Sequence, residues 1–177
     1  MHKKNGGITF VKEAGELPVV EESGLTFEAN AILKAVEASN HCPGLVVADD
    51  SGLEVDALEG APGVYSARYA GKGATDADNI AKLLVELARC DSAPFSARFR
   101  CALALAQEGR ILQTVNGLVE GTVVGVPRGR AGFGYDPVFQ PLGYDQTFGE
   151  LSSVEKNRNS HRAGAIRLLR AALLAKF

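Results

Sequence analysis

Apolar residues recur along this chain with two different periods. In GLTFEANAILKAVEASN, Gly24 to Asn40, the spacing predicts a helix with Thr26 as its cap and Ile32, Ala35 and Val36 on one face. TDADNIAKLLVELAR, Thr75 to Arg89, predicts a second: Thr75 caps it, Asp78 is the acidic capping partner, and Ile80, Leu83, Leu84 and Leu87 form the buried stripe. The closing SHRAGAIRLLRAALLAKF predicts a third, capped by Ser160 and burying Ile166, Leu169, Ala172 and Leu173. Between these helices the period drops to two. SARFRCALALAQ alternates at Ala97, Phe99, Cys101, Leu103 and Leu105, as a half-buried strand does. RILQTVNGLVEGTVV reads as strand, turn, strand, with Asn116-Gly117 as the hairpin turn. Leu45 to Ala48 reads as a short strand buried on both faces, and Ile8 to Val11 as a strand-like opening. Ser51 to Gly73 reads as strand fragments joined by turns, and Gly125 to Pro141 as a loop. With no repeat and no linker, the pattern predicts one α/β domain built on a twisted sheet.

Composition narrows the class. The 177 residues are 46% hydrophobic, enough for one compact domain or two lobes sharing a core, and the net charge of −2 excludes a broadly basic nucleic-acid surface. No apolar run reaches the length of a membrane span, and MHKKNGGITF lacks the apolar core of a signal peptide. Cys42, Cys90 and Cys101 are odd in number with no C-x-x-C spacing, which points away from a disulfide framework or a zinc site and toward the cytoplasm.

Three segments carry candidate chemistry. In GLVVADDSG, an apolar run enters two adjacent carboxylates, Asp49 and Asp50. Ligands of open α/β folds gather at strand carboxyl ends, and a hard cation such as Mg²⁺ takes one or two carboxylates plus phosphate oxygens. Successive side chains of a strand face opposite ways, so only one of the pair should reach such a ligand. Asp, Ser and Gly are also favoured turn residues, so the stretch alone is also read as a strand ending. In GRAGFGYDPVF, glycines on either side of Phe133 allow close backbone approach beside an aromatic face, the makings of a base pocket or of a hairpin tip. In EKNRNSHRAG, Lys156, Arg158, His161 and Arg162 crowd a helix entrance, where cations oppose the dipole unless an anion or ligand offsets them. The P-loop, dinucleotide and G-x-S-x-G patterns are absent.

Together, ESGLTFEANAILKA, ADDSGLEVDALEGAPGVYSARYAG, GFGYDPVF and EKNRNSHRA resemble, in order, the non-canonical purine nucleoside triphosphate pyrophosphatases, the inosine/xanthosine triphosphatase family. The resemblance runs from Glu21 to the C-terminus. It implies a long twisted mixed sheet with flanking helices, two lobes around a central cleft, and commonly a homodimer. The implied reaction is Mg²⁺-dependent hydrolysis of ITP, dITP or XTP to the monophosphate and pyrophosphate, with no nucleic-acid or membrane partner. By position, Asp50 resembles the catalytic acid that holds Mg²⁺ and accepts a proton from water, and Glu22 a second metal ligand. Ser51 resembles a substrate contact, Phe133, Gly134, Tyr135 and Asp136 the base loop, and Lys156, His161 and Arg162 base-contacting donors. Family members begin with a strand running into a TGN…K phosphate loop, whereas Ile8 to Val11 matches their second strand. The chain is therefore expected to be N-terminally short, with Lys3, Lys4 and Asn5 as its nearest substitutes. A catalytically impaired nucleotide-binding or interaction protein is the alternative reading.

Overall fold

The computed structural model describes residues 19–91 and 94–176. The strand expected at Ile8 to Val11 and the Lys3-Lys4-Asn5 segment lie outside the described residues.

Helix α1, Phe27–His41, begins where Thr26 accepts a hydrogen bond from Ala29 N (3.1 Å), and it stops just before Pro43, which cannot continue it. Strand β1, Val46–Val55, follows and is longer than the four-residue run in the sequence. It continues through Ser51 to Val55, so the glycine-rich stretch opens as strand. That stretch then turns into two 3₁₀ segments, Asp56–Leu58 and Gly63–Arg68, not into strand fragments. Helix α2, Asp76–Leu87, has the expected capping box between Thr75 and Asp78, and it buries Asn79, Ile80, Leu83 and Leu87.

Strands β2, Phe95–Gln107, and β3, Arg110–Val123, form a hairpin whose two-residue turn is Glu108-Gly109, both with positive φ (51° and 75°). Asn116-Gly117, expected as a turn, lies inside the unbroken β3. The reason is packing: a Cβ at Gly117 would stand 2.2 Å from His161 O, so the glycine is there to admit a helix. Strand β4, Phe139–Pro141, completes a sheet of order β1-β2-β3-β4, with every pairing among the described strands antiparallel. Helices α3, Ser153–Asn159, and α4, His161–Lys176, close the described chain. No described helix is long and apolar enough to cross a membrane.

The sheet is covered on both faces. Ala102, Ala104 and Ala106 of β2 meet Phe27, Ala31 and Ala35 of α1, with alanines on both sides that let helix and strand approach closely. On the other face Cys101, Leu103 and Leu105 meet Ala165 and Leu169 of α4. β2 is therefore buried on both faces over Cys101 to Ala106, where its alternation predicted one. β1, expected to be buried twice, is only half-buried from Val46 to Ser51, because it is an edge of the described sheet. On α4 the buried stripe runs through His161, Ala165 and Leu169, while Ile166 turns outward. A third core cluster gathers Leu53, Val55, Leu83, Phe99, Phe139 and Phe148 on the α4 face, beside α2. Phe99 meets Phe139 edge-on at 4.6 Å, and His161 stacks on Phe99 at 4.9 Å, where this cluster borders α4.

Candidate active site

The adjacent carboxylates sit mid-strand in β1, not at its end. Asp50 pairs in register with Ala102, on the α1 face, while Asp49 pairs with Leu103, on the α4 face. Alternation along the strand thus sends the two acids to opposite sides of the sheet, as expected.

On the α1 side, Asn30 and Lys34 stand one helical turn apart and both reach Asp50. Asn30 Nδ2 donates to Asp50 Oδ2 (3.2 Å), and Lys34 Nζ donates to Asp50 Oδ1 (2.9 Å). The same Lys34 Nζ donates to Glu22 Oε1 (2.8 Å), and Arg68 Nη1 reaches Glu22 Oε2 (3.3 Å). Partial burial works to raise the Glu22 pKa, but the hydrogen bonds and charges of Lys34 and Arg68 outweigh it, so its carboxyl lies below the ordinary range. Lys34 is the converse: burial disfavours its charge, the two carboxylates more than restore it, and its pKa is raised. The result is two carboxylates joined by one ammonium. Lys34, Asn30 and Arg68 escaped the motif reading. For Asn30 and Lys34 a signal was there, a polar i, i+4 pair bordering the small residues Ala31 and Ala35. Arg68 gave none, because its contact with Glu22 spans 46 positions.

On the α4 side, Arg162 donates to Asp49 Oδ2 through both Nε (3.0 Å) and Nη2 (2.7 Å), and Nη2 also donates to Ser51 Oγ (3.0 Å). The Arg162 guanidinium carbon lies 5.8 Å from the centre of the Phe133 ring, and Lys156 Nζ lies 4.5 Å from it. Lys156 also forms an ion pair with the buried Asp136. The cationic cluster of the sequence resolves into two helices. Lys156 and Arg158 occupy the last turn of α3, where positive charge suits the dipole, and Ser160 Oγ accepts from Ala163 N to start α4.

The segment from Phe133 to Asp136 is held by carboxylates. Phe133 N donates to Asp136 Oδ2 (2.8 Å), and Gly134 N to Asp76 Oδ2 (2.6 Å) at the first residue of α2. Tyr135 is buried beneath it with its hydroxyl donating to Ser66 O (2.9 Å). Of the four loop residues singled out in the sequence, Phe133 is the one with an open side chain, 59% exposed. Asp76 was not singled out at all, since its role as an anchor depends on a contact 58 positions away.

His161 is buried, and its Nδ1 has no protein partner among the described residues. Burial foremost, then the charges of Arg162 and Lys156, pull its pKa from 6.5 down to about 3. The ring is therefore neutral at physiological pH. Because the unfolded chain takes up this proton near 6.5 and the folded chain only near 3, His161 should erode stability as pH falls between those values. His161→Phe, which keeps the stack on Phe99, is expected to flatten the dependence of the melting midpoint on pH from 6.5 to 4. An unchanged slope would show that His161 is not its source.

The two faces thus divide the site: a carboxylate-ammonium group behind Asp50, and an aromatic ring flanked by cations behind Asp49. Comparison with known proteins places the chain in a family. The model of the Ham1 family matches residues 2–172. The chain is 53% identical over 161 residues to a dITP/XTP pyrophosphatase of Bacillus licheniformis, covering 91% of this chain and 82% of the relative. It is 50% identical over 163 residues to the dITP/XTP pyrophosphatase of Bacillus subtilis, covering 92% and 82% respectively. The solved HAM1 protein of Coxiella burnetii superposes with a TM-score of 0.85 at 44% identity, over 90% of this chain and 82% of that one. With the matched family model spanning nearly the whole sequence and the fold reproduced in a solved relative, this chain belongs to the Ham1 family.

Proposed function

We propose that this protein hydrolyses non-canonical purine nucleoside triphosphates, of the dITP and XTP class on which its relatives act, to the monophosphate and pyrophosphate. The observation that carries the reading is the division of labour across β1. Lys34 joins Asp50 and Glu22 on the α1 face, and Lys156 and Arg162 flank the Phe133 ring on the α4 face. This reading gives phosphate chemistry to the first group and base recognition to the second together with His161.

Asp50 is the proton acceptor for the attacking water. Its carboxylate is oriented by Asn30 and Lys34, and its side chain keeps 12% exposure to solvent. Lys34 keeps its charge and sits where phosphate oxygens would arrive, ready to exchange a carboxylate for a phosphate partner. The donor set fits Mg²⁺: Asp50 and Glu22 are hard oxygen ligands, and both carboxylates converge on one cation, the Lys34 ammonium. Mg²⁺ suits such a site because it takes one or two carboxylates and draws its other ligands from water and phosphate. When bound there by Asp50 and Glu22, it supplies neutralisation of the phosphate charge.

At the other face, donors await the base. A purine with a 6-keto group offers an acceptor where adenine offers an amino donor. Arg162 and Lys156 have only N–H groups to give, so adenine would leave donor facing donor. Phe133 offers the stacking surface. The protein is further read as cytoplasmic, from its three cysteines without C-x-x-C spacing, and as a homodimer, the state implied by its resemblance.

Pyrophosphate release from ITP, measured with and without Mg²⁺ and against ATP, tests the proposal. Mg²⁺-dependent, ITP-selective release is expected. Release of orthophosphate alone, or no release from a folded chain that still binds ITP, would overturn it and favour a binding protein. Phe133→Ala should raise the KM for ITP about 10-fold, in line with the loss of one base-aromatic stack. An unchanged KM would place the base elsewhere.

A further inference from the structure

Asp49 has no task in the proposed hydrolysis, yet its carboxylate takes two of the Arg162 hydrogen bonds. We infer that Asp49 is a positioning residue for substrate selection: it locks the Arg162 guanidinium so that one edge is occupied and the other, Nη1, faces the base. This rests on the proposed function and assigns a residue that the motif correspondence left unassigned.

The geometry supports it at each atom. Nε and Nη2 both donate to Asp49 Oδ2, at 3.0 and 2.7 Å, and the second Nη2 hydrogen is turned toward Ser51 Oγ at 3.0 Å. No described side chain or carbonyl accepts from Nη1, whose two N–H groups are the donors that remain. The guanidinium stands 5.8 Å from the Phe133 ring, so a base on that ring lies within its reach. The Arg162 side chain is 38% exposed, and an arginine that exposed samples many rotamers unless something holds it. A fixed donor rejects the wrong base edge, whereas a mobile one can swing away and forgive it. Asp49 and Ser51 are two apart on one strand, so β1 presents both anchors on the same face. The adjacent acids then have separate tasks: Asp50 acts on the phosphate side and Asp49 on the base side, through Arg162.

Kinetics of the full chain with ITP and ATP test this, comparing Asp49→Ala, Asp49→Asn, Arg162→Ala and the double variant Asp49→Ala/Arg162→Ala. Asp49→Ala should lower the ITP-to-ATP ratio of kcat/KM about 10-fold, mostly through KM, with kcat for ITP within about threefold of wild type, the effect of one mispositioned polar contact. Asp49→Asn keeps an acceptor oxygen and should retain an intermediate ratio. In the Arg162→Ala background, removing Asp49 should change the ratio no further. Thermal melts identify any variant that has lost its fold, and the milder Asn change then decides. Equal losses for ITP and ATP, or additive effects of the two Ala changes, would overturn the positioning role while leaving the proposed function standing. A wild-type chain that does not prefer ITP would overturn both.

Discussion

Asp50→Asn is expected to lower kcat for ITP by about 10³-fold while leaving the melting midpoint within a few degrees, the loss being that of a general base. The substitution changes one atom. Asn30 Nδ2 still finds an acceptor in the side-chain amide oxygen, and Lys34 keeps Glu22 as its ionic partner. What disappears is the ability to take a proton from water and to present a charged oxygen to Mg²⁺. The effect should therefore fall on kcat and on the Mg²⁺ requirement, with little change in circular dichroism or melting. Wild-type turnover by the variant would remove Asp50 from the mechanism. A collapsed fold would show instead that its contacts with α1 are structural.

Gly117→Ala is the second large effect, and it is one of architecture. The added methyl carbon would stand 2.2 Å from His161 O and 2.4 Å from Ala165 N, both backbone atoms that cannot rotate aside. Helix α4 must therefore retreat from β3. Overpacking of this kind is expected to cost about 3 kcal/mol, or roughly 10 °C in melting midpoint for a domain of this size. Because the displaced turn carries His161 and Arg162, selectivity for ITP over ATP should fall in whatever fraction remains folded. Glu108-Gly109 is the true hairpin turn, so an Asn116→Ala change, outside both the turn and the contact with α4, should leave the hairpin intact. A variant at Gly117 as stable as wild type would mean that α4 is not seated as described.

Much of this protein was legible in its sequence. Helices α1, α2 and α4, the capping box at Thr75, the cap at Ser160 and the period-two alternation of β2 follow from local propensity and spacing, which act over a few residues and need no partner. The separation of Asp49 from Asp50 followed in the same way, because alternation is a property of any strand. The motifs that hold Asp50, Phe133, His161 and Arg162 were legible in their order along the chain, once their resemblance to a family was seen.

What the sequence alone misassigned depended on distant partners. Asn116-Gly117 has the composition of a turn, but only the seating of α4 shows that Gly117 serves close packing. β2 alternates like a half-buried strand, yet its alanines are covered because α1 brings alanines of its own. Ile166 and Leu169 are both apolar, and α4 packs on β2 through Ala165 and Leu169, which leaves Ile166 outside the contact. Lys34 between two carboxylates, Asp76 on Gly134, and Asp49 on Arg162 join positions 12 to 113 apart. By itself the sequence determined which elements form and which residue types are available for chemistry, since those are set by short-range sterics and side-chain identity. Only the tertiary structure decided which of those residues meet, because hydrogen bonds and ion pairs act over a few ångströms and packing alone brings distant segments within that range.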